Sequence, residues 1–163
     1  MPAIPEFLKA NEEYAREFSK GALHLPPARK VAVVVCMDAR IDPARALGLQ
    51  EGDAHVIRNA GGRISDALRS LAISQTLLGT EEVAIVHHTD CGMLTFSDDS
   101  IRTKLRLERK VDADAVAFLP FKDLDGSVRD DLAAYRASHL VRQDIPVRGF
   151  VYDVRTGRLR EVE

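Results

Sequence analysis

The sequence predicts one α/β domain, with a central, mostly parallel β-sheet flanked by helices and an N-terminal helix that extends from it. Three observations predict this class. The chain has 163 residues, and domains usually have about 100–200 residues. Short β-branched apolar runs are typical of strands covered on both faces, as in parallel sheets. These runs alternate with helical patterns, which is typical of crossover units. We therefore expect residues 1–163 to form a single domain.

An amphipathic helix is predicted over residues 4–18, where apolar side chains recur at helical spacing with charged residues opposite them. The apolar positions are Ile4, Phe7, Leu8, Tyr14, Ala15 and Phe18. An apolar stripe of this kind needs a surface to cover.

The first strand is predicted at residues 30–35, where "KVAVVV" is a continuous β-branched run. Asp42 followed by Pro43 is typical of a helix N-cap with proline at the first helical position, and Gly48 ends that short helix. The second strand is predicted at residues 53–57, "DAHVI".

A glycine turn, "RNAGGR", follows at residues 58–63. We predict a helix capped by Ser65 that runs to about Leu78, with Gly79 as its stop signal. The third strand is predicted at residues 82–88, "EVAIVHH".

The part of the chain after the third strand is predicted to hold two helices and a hairpin. A polar helix covers about residues 97–110, and a helix capped by Ser127 runs to about Gln143 before Pro146. Two β-rich segments flank a turn at residues 155–158. We expect strand order 2-1-3, then a further parallel strand and an antiparallel edge strand.

The overall charge argues for a small-molecule ligand. With 23 Lys and Arg against 25 Asp and Glu the net charge is −2, and the basic residues form no long run. This pattern excludes the electrostatic footprint of a nucleic-acid or anionic-membrane binder. The sequence also contains no signal-peptide pattern and no apolar stretch of the roughly 20 residues that span a membrane. We expect a cytoplasmic protein.

Metal-ligating residues follow two of the predicted strands. Cys36 ends the first strand, and His87, His88 and Cys91 end the third. In the order 2-1-3 these strands are neighbours, and ligands of such sheets bind at this switch point. Zn²⁺ takes Cys and His ligands, and three protein ligands with one open position make a catalytic site. The alternative is a core histidine beside two inert thiols, and spacing does not choose between His87 and His88.

Asp38 and Arg40 follow Cys36 closely. Two thiolates and a neutral imidazole already cancel the charge of Zn²⁺, so this ligand set acidifies bound water less than three histidines would. Asp38 could orient the water, and Arg40 could hold Asp38 by a bidentate pair. Released from Arg40, Asp38 could instead fill the fourth metal position. The alternative is an ordinary surface ion pair, which contributes little.

These motifs, "CMDAR" at residues 36–40 and "HTDCG" at residues 88–92 with "HVIRNAGG" between them, resemble those of the β-class carbonic anhydrases. The resemblance covers most of the chain. It implies that Cys36, His88 and Cys91 bind Zn²⁺ and that Asp38 and Arg40 form the catalytic dyad. It also implies that Asp38 is a fourth ligand only in a closed state.

The resemblance implies reversible hydration of carbon dioxide to bicarbonate and a proton by zinc-bound hydroxide. It further implies a homodimer or homotetramer, with the helix in residues 1–20 packing on a partner subunit. Gly61 and Gly92 are expected to line the substrate pocket. Two alternatives remain: hydrolysis of carbonyl sulfide or carbon disulfide at the same zinc site, and a non-enzymatic zinc-binding or sensing module.

Overall fold

A five-stranded sheet forms the centre of the computed structural model, which describes residues 2–163. Its strand order is β2-β1-β3-β4-β5, with the first four strands parallel and β5 antiparallel to β4. The predicted order and the antiparallel edge strand are therefore confirmed. The strands are β1 (Val31–Cys36), β2 (Ala54–Asn59), β3 (Glu82–His88), β4 (Val147–Tyr152) and β5 (Leu159–Val162).

Within residues 2–163, five α-helices accompany the sheet: α1 (Ile4–Glu17), α2 (Pro43–Leu47), α3 (Ile64–Leu77), α4 (Asp98–Arg109) and α5 (Leu124–Ala137). The predicted cap at Asp42 is confirmed, and the structure shows a further cap at Ser97. The Asp42 carboxylate accepts from the backbone N–H of Arg45 at the start of α2, and Ser97 forms a capping box with Ser100 at the start of α4.

The predicted N-caps of α3 and α5, and the predicted end of α5, were wrong by two to six residues. Helix α3 begins at Ile64, so Ser65 lies inside its first turn. Helix α5 is capped by Asp123, whose carboxylate accepts from Asp125 N, and not by Ser127. It ends at Ala137 because the Gln143 amide folds back to donate to the backbone carbonyls of Tyr135, Ser138 and Val141. Gln143 thus helps to end the helix and does not extend it.

Both faces of the sheet are covered, as the β-branched runs predict. Ala32 and Val34 of β1 pack with residues of α3 and α5 on one face. Val33 and Val35 point to the other face, where the segments that follow β1 and β3 cover them. Cys36, the last residue of β1, also packs among the residues of the second face, although strict alternation along the strand would place it with Ala32 and Val34.

Helix α1 projects from the domain, and none of its residues is buried. Its end is tied down by Glu51, which accepts a 2.8 Å hydrogen bond from the Tyr14 hydroxyl and pairs with Lys20. Ile4 and Leu8 are 76% and 78% exposed.

Among the helices of residues 2–163, none has both the length and the apolar character needed to cross a bilayer.

Candidate metal centre

Three ligand residues converge where β1 and β3 end. Cys36 is the last residue of β1, His88 is the last residue of β3, and Cys91 lies in the turn after β3. The two strands pair in parallel register, with Val35 opposite Val86. The three residues are buried, and their ligand atoms lie within 4.8 Å of one another. The convergence predicted from the sequence is confirmed.

His88, not His87, faces the two thiols. The side chain of His87 lies on the opposite face of the sheet, where Nδ1 is 2.7 Å from Ser127 Oγ and Nε2 is 2.9 Å from Asp131 Oδ2. Both of its ring nitrogens are therefore engaged. His88 Nδ1 donates to the Thr89 carbonyl at 2.9 Å. Its Nε2 is buried and has no hydrogen-bond partner among residues 2–163. A histidine anchored through one nitrogen with the other free is arranged as a metal ligand.

The protonation of the two thiols suits a divalent cation. Their sulfur atoms are 4.0 Å apart. The hydrogen bond from Cys91 lowers the pKa of Cys36 to about 4, in spite of burial. The same contact, together with burial, raises the pKa of Cys91. Without a cation the pair therefore keeps one proton, which a bound cation displaces. Two sulfurs and one imidazole nitrogen are ligands that Zn²⁺ prefers, so the residues present fit this metal.

The Asp38 carboxylate lies at the edge of this trio and turns toward Arg40. Arg40 donates from Nε to Asp38 Oδ1 at 3.0 Å and from Nη2 to Oδ2 at 2.7 Å. These bonds hold the pKa of Asp38 well below its usual range. Asp38 Oδ2 is also 3.8 Å from His88 Nε2. Asp38 is therefore an ionised acceptor within reach of both Arg40 and the metal ligands.

Two further residues shape this region, and sequence reasoning missed both. The Arg58 guanidinium donates to the carbonyl of Cys36 at 3.0 Å and to the carbonyl of Asp38 at 2.7 Å, which fixes the backbone that carries both side chains. Asp90 accepts from Arg40 Nη1 at 2.7 Å. The available signal for Arg58 was a charged residue at the carboxyl end of a predicted strand. The signal for Asp90 was its position inside the motif "HTDC".

A cavity of about 310 Å³ opens beside the trio. Gly61 and Gly92 both line it, together with the apolar side chains of Met93 and Phe96. Gly61 has φ +82°, and a Cβ there would lie 3.0 Å from Met93 Cγ, so a side chain would intrude on this wall. A small apolar molecule fits such walls.

Comparison with known proteins identifies close relatives. Residues 31–117 match the carbonic anhydrase family model. The chain is 46% identical to beta-carbonic anhydrase 1 of Mycobacterium tuberculosis over 99% of both chains. It is 34% identical to the carbon disulfide hydrolase of an Acidianus strain, over 97% of this chain and 88% of that protein. The crystal structure of carbonic anhydrase from Streptococcus mutans superposes with a TM-score of 0.92 at 48% identity, covering 100% of this chain and 99% of that one.

Proposed function

The chain belongs to the β-class carbonic anhydrase family, and we propose that it catalyses the reversible hydration of carbon dioxide to bicarbonate and a proton with Zn²⁺ as cofactor. The observation that carries this proposal is the buried Cys36, His88 and Cys91 trio beside the ionised Asp38. Such a trio leaves one coordination position for solvent, as catalytic zinc sites do.

Three side chains would hold the metal: the sulfurs of Cys36 and Cys91 and the free Nε2 of His88. Zn²⁺, when bound, supplies Lewis acidity that lowers the pKa of water toward about 7. The Thr89 carbonyl fixes the His88 ring by accepting from Nδ1 and so aims Nε2 at the two sulfurs. Arg58 holds the backbone of Cys36 in place. The ligand side chains are therefore preorganised before the metal binds.

Asp38 would orient the attacking water. Its carboxylate accepts hydrogen bonds and donates none, because Arg40 keeps it ionised at neutral pH. An acceptor at this edge directs a water O–H toward itself and leaves an oxygen lone pair for the substrate carbon. Its low pKa makes Asp38 a poor carrier of the released proton, which would pass to buffer. Met93 and Phe96 would hold the substrate against an apolar wall.

Stopped-flow hydration of carbon dioxide with a pH indicator tests this function. We expect the zinc-loaded protein to accelerate the reaction and Asp38→Ala to lose about 100-fold or more in rate while it retains zinc. Asp144→Ala is the matched control. Asp144 also accepts both bonds of an arginine two residues away, at 3.0 and 2.6 Å from Arg142, but it lies on the surface away from the trio. A zinc-loaded protein with no rate above buffer from neutral to alkaline pH would refute the proposal.

A second candidate is hydrolysis of carbonyl sulfide or carbon disulfide at the same site. The 34% identity to a carbon disulfide hydrolase favours it, and the apolar wall accepts either linear substrate. Sulfide release by the same zinc-loaded preparation separates the two reactions. The non-enzymatic alternative, a zinc sensor closed by Asp38, predicts that Asp38→Ala weakens zinc binding and that no turnover is lost.

We also infer that the protein is a homodimer or a dimer of dimers, in which residues 1–20 of one single-domain subunit pack on the next. The exposed apolar side chains of α1, Phe7 and Leu8 among them, support this assembly. Replacing Phe7 and Leu8 together by glutamate should produce monomers in light scattering, and Lys9→Glu on the opposite side of the helix should not. A monomeric unmodified protein would contradict the inference.

The two free thiols favour a reducing, cytoplasmic compartment.

A further inference from the structure

Asp90 lies between two of the metal-ligating residues, His88 and Cys91, yet it contacts neither the cavity nor the sulfurs. Its backbone is left-handed, with φ +55°. Both of its acceptor groups reach one guanidinium: Asp90 Oδ2 accepts from Arg40 Nη1 at 2.7 Å, and the Asp90 carbonyl accepts from Arg40 Nη2 at 2.9 Å. The turn that carries two metal ligands is thus bonded to Arg40 twice.

The Arg40 guanidinium is held from both sides. Nε and Nη2 donate to Asp38 on one side, and Nη1 and Nη2 donate to Asp90 on the other. Four of the five N–H groups of the fork are used in this way. Because the fork is planar and rigid, it cannot turn toward solvent without breaking bonds to both partners.

The position of Arg40 decides what Asp38 can do. Asp38 Oδ2 is 2.7 Å from Arg40 Nη2 and 3.8 Å from His88 Nε2, so the same oxygen lies between the guanidinium and the metal ligands. A firmly held Arg40 keeps this oxygen occupied. A mobile Arg40 releases it toward the metal.

We propose that Asp90 is a positioning residue that fixes Arg40 from the side opposite Asp38, so that Asp38 stays paired and the fourth metal position stays open to a small ligand. The proposal rests on the proposed function only in requiring a metal at the trio, and it holds for any substrate. As an isolated surface pair, with 47% and 68% exposed side chains, Arg40 and Asp90 would contribute little to stability. Their effect is on where Arg40 lies.

Thiocyanate binding to the cobalt-substituted protein, followed by visible absorption, measures access to the fourth position without substrate. We expect Asp90→Asn to weaken thiocyanate binding about fivefold or more, because Asp38 then competes for that position. Asparagine keeps the shape of the side chain and tolerates the left-handed backbone. Loss of one negative charge would by itself strengthen anion binding, so the direction of the change separates the two effects.

The decisive measurement is whether the effect of Asp90→Asn on thiocyanate binding requires Asp38. In an Asp38→Ala background, Asp90→Asn should no longer weaken thiocyanate binding, because no carboxylate remains to compete. Asp90→Gly, which keeps the backbone carbonyl and tolerates the positive φ, should behave like Asp90→Asn and guards against a folding defect in one variant. Asp114→Asn is the matched control, since Asp114 accepts from Arg106 at 2.7 Å in a similarly exposed pair.

Thiocyanate affinity that is unchanged or tighter in Asp90→Asn, or weakened equally with and without Asp38, would overturn the proposal. Failure to bind cobalt would overturn both the metal site and this role. A protein that binds cobalt and shows the expected thiocyanate pattern, yet hydrates no carbon dioxide, would refute the proposed function and leave the role of Asp90 standing.

Discussion

Gly62 packs closely against the ends of β1 and β3 because it has no side chain, and Gly62→Ala tests this close approach. Gly62 has φ +69°, and a Cβ there would lie 3.0 Å from the backbone nitrogen of Cys36 and 3.0 Å from the carbonyl oxygen of Val86. Neither atom belongs to a flexible side chain. The variant must therefore move the strand ends that carry the metal ligands, or move the glycine turn away from them.

The expected loss in the free energy of unfolding of Gly62→Ala has two parts. A Cβ in the left-handed region costs about 1–2 kcal/mol, and overpacking against fixed atoms costs about 1–3 kcal/mol. Gly62→Ala should therefore lower the free energy of unfolding by about 2–5 kcal/mol. Gly79→Ala is the matched control, because Gly79 has φ +72° and nothing within 4 Å of the added Cβ. It should cost only the backbone part, so the difference between the two variants measures the close approach.

Urea denaturation followed by circular dichroism provides the assay. Metal-free protein at one fixed concentration is required, because zinc binding and subunit association both raise apparent stability by mass action. We expect the midpoint of Gly62→Ala to lie on the order of 1 M urea below that of Gly79→Ala. Zinc affinity should fall in Gly62→Ala and not in Gly79→Ala, since of these two glycines only Gly62 lies against the backbone of Cys36. Equal midpoints with equal slopes would refute the reasoning.

Three further predictions concern the ion pairs and the metal. Asp131→Ala leaves the Arg63 guanidinium, only 11% exposed, without its partner, and should cost about 3–5 kcal/mol in urea denaturation; a loss below about 1 kcal/mol would contradict a buried pair. Cys91→Ser should retain far less zinc than the unmodified protein after dialysis against a chelator, as measured by metal analysis, because serine is a poor zinc ligand; equal retention would exclude Cys91 as a ligand. The hydrogen bond from Arg160 lowers the pKa of Asp125, so the folded state favours the ionised form. The stability difference between the unmodified protein and Asp125→Asn should be fully present above the unfolded-state pKa of about 3.9 and disappear as pH falls through the lowered folded-state pKa. A difference that grows in acid would contradict this sign.

Local signals predicted the elements whose ends depend on neighbouring residues in the chain. The predicted cap at Asp42 is correct because its side chain accepts from a backbone N–H three residues ahead. The predicted end of α5 at Gln143 is wrong for the opposite reason. The Gln143 side chain reaches back to carbonyls up to eight residues earlier, and no periodicity signals such a return.

The sequence alone determined the types of ligand available at this site, and it predicted the strand order that the structure shows. A β-branched run that ends in Cys36 and a second that ends in "HHTDC" place thiols and imidazoles at the carboxyl ends of neighbouring parallel strands. Residue spacing left His87 and His88 open, and the family resemblance favoured His88. The tertiary structure gives the physical reason why His88 faces the thiols. Successive strand residues point to opposite faces of the sheet, and Ser127 and Asp131 of α5 bind His87 on the other face. The tertiary structure also brought Asp90 to Arg40 across 50 positions of chain, because contacts between distant segments exist only after the sheet has aligned its strand ends.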